Sequence, residues 1–140
     1  MQDLDRAKTL LQAEGYTCVL CMGDRIHTSH RRGVAPLMEL LDQLTDVRGF
    51  SAADKVVGKA TALLYRLLGV RAVYAAVISQ AALEVLSEGN IDTSYGTLVD
   101  HIINRTGDGP CPMETATKDI SDPTDAPAAI QKKLRQLQAN

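Results

Sequence analysis

Residues 72–78 read Ala-Val-Tyr-Ala-Ala-Val-Ile, a nearly continuous apolar run between Arg71 and Ser79. A run of this length, rich in β-branched residues, predicts a strand covered on both faces, because a half-exposed strand would alternate apolar with polar residues. Helical spacing of apolar residues precedes the run up to Leu68 and follows it from Gln80 to Ser87. A buried strand between two helices indicates an α/β domain.

Patterns on either side of this strand extend the same fold. Helices alternate with strands, and the chain therefore predicts a three-layer α/β/α sandwich. The expected elements are a helix over Leu4–Glu14, a hairpin of Tyr16–Met22 and Arg25–Ser29, a helix over Val34–Leu44, a helix from Ser51 to Leu68, a strand or extended connection over Ile91–Tyr95, a strand or helix over Thr97–Ile103, a loop over Gly107–Pro123, and a helix over Ala126–Leu137.

Composition limits the class of protein. The 140 residues suffice for one domain, residues 1–140, with its own core. A net charge of −2 and an aromatic share of 4% argue against a nucleic-acid partner, which calls for a basic surface and stacking rings. No stretch reaches the roughly 20 apolar residues of a membrane span. An acidic start without a secretory signal and an odd number of cysteines make the cytoplasm the expected location.

Cys18 and Cys21 have the C-x-x-C spacing of zinc and redox sites. Both lie in a strand-like run, where residues three apart point to opposite faces. We therefore interpret them as core residues. His27 and His30, at the end of the second hairpin strand, are interpreted as ordinary surface histidines.

The predicted helix from Ser51 carries an unusual polar group in its first turns. Lys55 and Lys59 would be neighbours of like charge four residues apart, which weakens a helix, and Gly58 between them weakens it further. With Asp54, this helix start offers a carboxylate, two ammonium groups and free N–H donors, which suit a small polar or anionic ligand. A solvated lysine face with Gly58 packed on a neighbour explains the same pattern equally well.

Cys111 lies between two prolines, Pro110 and Pro112, and Glu114 follows closely. Proline fixes φ and lacks an N–H, so the thiol is expected on a stiff, non-helical backbone. It is either a buried thiol under a turn or a nucleophile, which would need a nearby cation or base. Lys55, Lys59 or Arg105 would supply the cation if the fold brings them together.

Three segments together resemble a small uncharacterised prokaryotic family that is grouped with the cytidine deaminase-like superfamily. They are residues 54–60 (DKVVGKA), residues 77–86 (VISQAALEVL), and Asn104-Arg105 followed by residues 111–114 (CPME). The resemblance extends from the first helix to about Glu114. It implies a mixed sheet between helices, with helix N-termini that point into a pocket lined by Asp54, Lys55, Lys59 and Ser79.

Active members of that superfamily hold zinc with an H-x-E or C-x-E motif at one helix start and P-C-x-x-C at the next. Carried over, Asp54 stands at the first ligand position and Val56 at the acid/base position, while Ser79 and Ala82 replace the two cysteines. At most one weak ligand remains of the three that a catalytic zinc needs. We therefore expect no metal and no other cofactor.

Two functions follow as expectations. The first is a domain that binds an unidentified nucleotide- or metabolite-like molecule on a deaminase-like scaffold without catalytic zinc. The second is a metal-independent enzyme with Cys111 as nucleophile and Lys59 and Asp54 assisting proton transfer. In either case Lys55, Ser79, Glu114 and Arg105 are the expected ligand-binding residues. A homodimer is a third expectation, since the superfamily often oligomerises.

Overall fold

The computed structural model describes residues 2–103, 107 and 109–139. Helices and strands alternate along most of the chain. In chain order they are α1 (Gln2–Glu14), β1 (Cys18–Met22), β2 (Arg25–Ser29), α2 (Ala35–Asp42), β3 (Ser51–Val57), α3 (Lys59–Leu68), β4 (Ala72–Ser79), α4 (Gln80–Glu88), β5 (Asp92–Val99), α5 (Pro112–Thr117), a 3₁₀ turn (Pro123–Asp125) and α6 (Ala126–Ala139).

The five strands form one mixed sheet in the order β2-β1-β3-β4-β5. Strand β1 is antiparallel to both β2 and β3, whereas β3, β4 and β5 run parallel to one another. The apolar run of residues 72–78 is β4, and it pairs with β3 on one side and β5 on the other. The predicted mixed sheet flanked by helices is confirmed.

Helices cover both faces of the sheet and form two apolar clusters. Helix α1 packs on β1 and β3, where Ala7 and Leu11 meet Val19, Cys21 and Ala53. The larger cluster, on the other face, joins the sheet to α2, α3, α4 and α6. In the described part of the chain, no helix is both long and apolar enough to cross a membrane.

The prediction of a helix from Ser51 to Leu68 is wrong for its first half. Residues Ser51–Val57 form strand β3, which pairs with β1 and β4, and the helix begins only at Lys59. Pairing with two neighbouring strands outweighs the weak helical preference of a Ser-Ala-Ala-Asp segment, as tertiary context often does. Asp54 and Lys55 therefore lie in a strand, and no lysine pair weakens the helix.

Two other expectations change in the second half of the chain. The sequence predicts a strand or extended connection over Ile91–Tyr95 and a strand or helix over Thr97–Ile103. Residues from both segments form the single strand β5. The predicted loop Gly107–Pro123 contains the short helix α5, which begins at Pro112 directly after Cys111. Proline suits the first position of a helix because its missing N–H is not needed there.

Candidate functional site

A pocket of about 630 Å³ lies where β3 ends and α3 begins, and α5 and α6 form its other walls. Its volume falls within the roughly 300–1,000 Å³ typical of small-molecule sites. Most of its described lining is aliphatic and includes Val56, Ile102, Ile103, Met113, Leu134 and Leu137. The polar and charged side chains in that lining are Arg32, Thr61, Cys111 and Glu114.

The side chain of Glu114 caps the N-terminus of α3, although Glu114 lies 55 residues after Lys59 in the sequence. Gly58, the residue before the helix, has no side chain to cap it, and a carboxylate oxygen of Glu114 (Oε2) accepts a hydrogen bond from the Lys59 backbone N–H at 2.8 Å. Gly58 makes room for this carboxylate, because a Cβ there would lie 2.7 Å from Glu114 Oε1. The negative charge faces the positive end of the helix dipole, so the contact stabilises α3 and ties α5 to it.

Cys111 lies at the pocket wall, directly before α5. Its backbone is extended (φ −61°, ψ 130°), as the two prolines predict, and its N–H donates to the Ile102 carbonyl at 3.0 Å. The side chain is partly exposed, whereas Cys18 and Cys21 are buried. Of the three thiols, Cys111 is therefore the one open to a ligand in the pocket.

The two lysines expected near this thiol have other positions. The Lys59 ammonium donates to the Lys118 carbonyl oxygen at 2.8 Å. Lys55 is exposed on β3, and neither lysine belongs to the described lining of the pocket. Glu114 is thus the expected ligand-binding residue that the structure brings next to Cys111.

Asp54 lies in a separate buried cluster with Cys18 and Tyr65. The Tyr65 hydroxyl donates to Asp54 Oδ2 at 2.7 Å and lies 3.4 Å from the Cys18 sulfur. Burial raises the pKa of the Asp54 carboxyl from its ordinary 3.8 to about 7, and the hydrogen bond from Tyr65 offsets part of that rise. The group packs against the core and does not line the pocket. The structure therefore does not assemble the expected cluster of Cys111, Lys59 and Asp54.

Ser79 caps α4 and is not available to a ligand. It is buried, and its hydroxyl accepts a hydrogen bond from the Ala82 N–H at 3.2 Å. The start of α3 borders the pocket through Gly58, Ala60 and Thr61, with its Lys59 N–H bonded to Glu114, whereas Ser79 at the start of α4 does not belong to the described lining. Arg105 lies outside the described residues.

Most of the described lining was not assigned to the site from sequence, and Arg32 and the leucines of α6 are the members that matter most for binding. Leu134 and Leu137 share one side of α6, and this stripe predicts burial or contact without indicating a pocket. The sequence does not distinguish the roles of Arg31 and Arg32, but their side chains have different partners in the structure. Arg31 pairs with Glu39, whereas Arg32 reaches the pocket.

A smaller cavity of about 260 Å³ lies between the β1–β2 hairpin and α2, with Cys18 and His27 in its lining. The two histidines of the hairpin rest against aromatic rings, His27 on Phe50 and His30 on Tyr16. Among the described residues, no group of three or more His, Cys, Asp or Glu side chains is placed to hold a metal ion. The interpretation of Cys18 and Cys21 as core residues is confirmed, since both are buried, one in each of the apolar clusters on the two faces of the sheet.

These features define the class of protein: a small α/β domain with a mixed sheet and an aliphatic pocket beside the carboxyl end of a central strand. A sequence model described as "TM1506: Domain of unknown function (DUF1893)" matches residues 6–134. The chain therefore belongs to the DUF1893 family.

A solved structure supports the same assignment. The chain is similar to the crystal structure of a DUF1893 family protein (TM1506) from Thermotoga maritima, with a TM-score of 0.86 and 25% sequence identity. The similarity covers 94% of this chain and 90% of that one. No curated protein matches the sequence.

Proposed function

We propose that this chain is a small-molecule-binding domain, with a nucleotide- or metabolite-like ligand, on a cytidine deaminase-like scaffold without catalytic zinc. The pocket carries the proposal. Three of its described aliphatic lining residues are substantially exposed, namely Val56 at 43%, Ile103 at 61% and Leu137 at 47%. Exposed apolar side chains that converge on one cavity mark a binding surface, because burying them against a ligand is favourable.

The scaffold part of the proposal rests on topology. A mixed sheet with helices on both faces is what the resemblance to the deaminase-like superfamily implies, and this chain has such a sheet. Helices α3 and α4 begin directly after the parallel strands β3 and β4, so their N-termini lie at the same edge of the sheet. Ligands of open α/β sheets bind at this carboxyl edge.

The residues at these two helix starts do not fit a zinc ion. Since α3 begins at Lys59 and not at Asp54, the first superfamily motif corresponds to Gly58-Lys59-Ala60. The second corresponds to residues 79–82, with Ser79 and Ala82 in place of the cysteines. Neither start offers the Cys or His side chains that zinc prefers. Elemental analysis of protein purified without chelators checks this, and one zinc per chain would overturn it.

A thermal-stability screen tests binding. A ligand that binds only the folded chain must raise its melting temperature. We expect at least one metabolite of a panel to do so, and the shift to disappear in Leu137→Asp, which places a charge in the pocket. Leu44→Asp is the matched control, because Leu44 is 90% exposed and lies outside the lining. If the ligand still raises the melting temperature of Leu137→Asp, it binds at a site other than this pocket.

A second candidate function is a metal-independent enzyme with Cys111 as nucleophile. One observation favours it: Cys111 is the partly exposed thiol and lines the pocket. The positions of Asp54 and of the Lys59 ammonium leave Glu114 as the nearby candidate for proton transfer. If this candidate is right, a pocket ligand protects Cys111 from thiol reagents and Cys111→Ser abolishes turnover while binding remains.

The homodimer expected from the sequence stays a proposal, and strand β5 supports it. In the described sheet β5 is an edge strand of eight residues, with Tyr95 and Leu98 exposed. It carries no proline or lysine, the residues that commonly protect an edge from pairing. Light scattering on wild type and on Leu98→Lys tests this, with a dimer expected only for the wild type.

A further inference from the structure

The charges of the pocket narrow the class of ligand, an inference that rests on the proposed function. Arg32 is the only cationic side chain among the described residues that line it. No carboxylate of the described chain forms an ion pair with Arg32, whereas Arg31 beside it is paired with Glu39. The planar guanidinium fork matches the two oxygens of a carboxylate.

The other charged group of the described lining is already engaged. Glu114 accepts the Lys59 backbone N–H at the start of α3. Its carboxylate caps the helix, and among the described lining residues Arg32 remains as the charged side chain available to a ligand. A ligand with one negative group complements this arrangement.

The rest of the described wall is aliphatic. It holds Val56, Ile102, Ile103, Met113, Leu134 and Leu137, and none of the described lining residues is aromatic. Nucleobases are commonly held by stacking on aromatic rings, and several phosphates call for more than one cation. The described wall offers neither, but its aliphatic side chains offer an apolar contact surface.

We propose that the pocket binds an aliphatic carboxylate, with the chain against Val56, Ile103 and the α6 leucines and the carboxylate on Arg32. Burial of exposed aliphatic surface supplies most of the affinity, and the ion pair with Arg32 selects the anionic end.

Methyl-labelled NMR on the full chain, with titrations of octanoate, octan-1-ol and adenosine monophosphate, tests the proposal. We expect octanoate to shift the methyl signals of Val56, Ile103 and Leu137 and to bind more tightly than octan-1-ol. Arg32→Gln should weaken octanoate binding by about tenfold or more, the effect of losing one charged hydrogen-bonded contact, and should leave octan-1-ol binding unchanged. Arg48→Gln is the control, because Arg48 is an exposed arginine outside the lining.

Each other outcome has a distinct meaning. Two results would refute the recognition of a carboxylate by Arg32: equal affinities for octanoate and octan-1-ol, or an Arg32→Gln variant that binds octanoate normally. Either result would still show that the pocket binds a ligand. Adenosine monophosphate that binds more tightly and displaces octanoate would replace the ligand class with a nucleotide. If none of the three shifts these methyl signals, the inference is wrong, and the metabolite screen with Leu137→Asp decides separately whether the pocket binds at all.

Discussion

The Glu114 carboxylate lies 2.8 Å from the backbone nitrogen of Lys59 and caps helix α3 in place of a side chain at Gly58. Through this contact, a residue of the C-terminal third fixes the start of the helix that borders the pocket. It joins two of the segments that carry the family resemblance, residues 54–60 and 111–114. Both the stability of α3 and the shape of the pocket therefore depend on it.

Loss of this cap should destabilise the fold. We expect Glu114→Ala to lower the free energy of unfolding by about 1–2 kcal/mol, as for other helix caps, and Glu114→Gln to lower it less, because an amide oxygen still accepts. Urea unfolding measures both. Glu84→Ala, at an exposed site on α4, should change stability by no more than about 0.5 kcal/mol. Equal effects at Glu114 and Glu84 would contradict the capping role.

Gly58 and Glu114 should be energetically coupled. An alanine Cβ at position 58 would lie 2.7 Å from Glu114 Oε1 and push the carboxylate from the helix end, although φ of −96° suits any residue. We expect Gly58→Ala to cost about 1 kcal/mol more in the wild type than in the Glu114→Ala background, because the cap is already lost there. A double-mutant cycle by urea unfolding measures this, and simple additivity of the two costs would refute the coupling.

Ionisation of the Asp54 carboxyl should lower the free energy of unfolding as pH rises. Its pKa is about 7 in the folded chain and 3.8 ordinarily, so between these values the folded state holds a proton that the unfolded state has lost. The stabilisation is complete below about pH 4 and lost as pH rises through 7, and the difference of about 3 pKa units corresponds to roughly 4 kcal/mol at about 1.4 kcal/mol per unit.

Urea unfolding from pH 4 to 8 checks this, with Asp54→Asn as the variant that cannot titrate. The difference in stability between wild type and Asp54→Asn should change between about pH 4 and 7 and level off by about pH 8. Tyr65→Phe should extend the change to higher pH, since the Tyr65 hydrogen bond lowers the pKa of Asp54. Parallel wild-type and Asp54→Asn curves would show that Asp54 does not titrate here.

Cys111 should be the thiol that reacts in the native protein. Cys18 is 2% and Cys21 0% exposed, and burial raises the pKa of both thiols, most strongly that of Cys18, where the Asp54 carboxylate adds to the effect. Only the thiolate attacks an alkylating reagent.

Intact-protein mass spectrometry with iodoacetamide near neutral pH checks this. We expect one fast adduct per native chain, absent in Cys111→Ala, and three adducts after unfolding. A fast adduct on native Cys111→Ala would show that a buried cysteine is accessible. A Cys111 that reacts no faster than in unfolded protein would remove the support for a nucleophile.

The sequence by itself determined the features that depend on local patterns. The continuous apolar run of residues 72–78 required a central strand, the hairpin around Gly23 and the helices α1, α4 and α6 followed from spacing and turn residues, and prolines fixed the backbone at Cys111. The opposite orientations of Cys18 and Cys21 followed from the two-residue period of a strand.

Only the tertiary structure decided β3 and the composition of the pocket. Residues 51–57 have no strong local preference for strand or helix, and they become a strand because β1 and β4 offer hydrogen-bond partners on both sides. Gly58, which follows the segment, is a residue that commonly ends a strand or helix. The spacing of the apolar residues alone, however, does not distinguish a strand from a helix here.

The same dependence on tertiary contacts explains the candidate site. Asp54 turned into the core, Glu114 reached the start of α3, and Arg32 and α6 joined the pocket from distant parts of the chain. Which side chains meet depends on how the helices pack on the sheet, and no local pattern encodes contacts between residues so far apart in sequence.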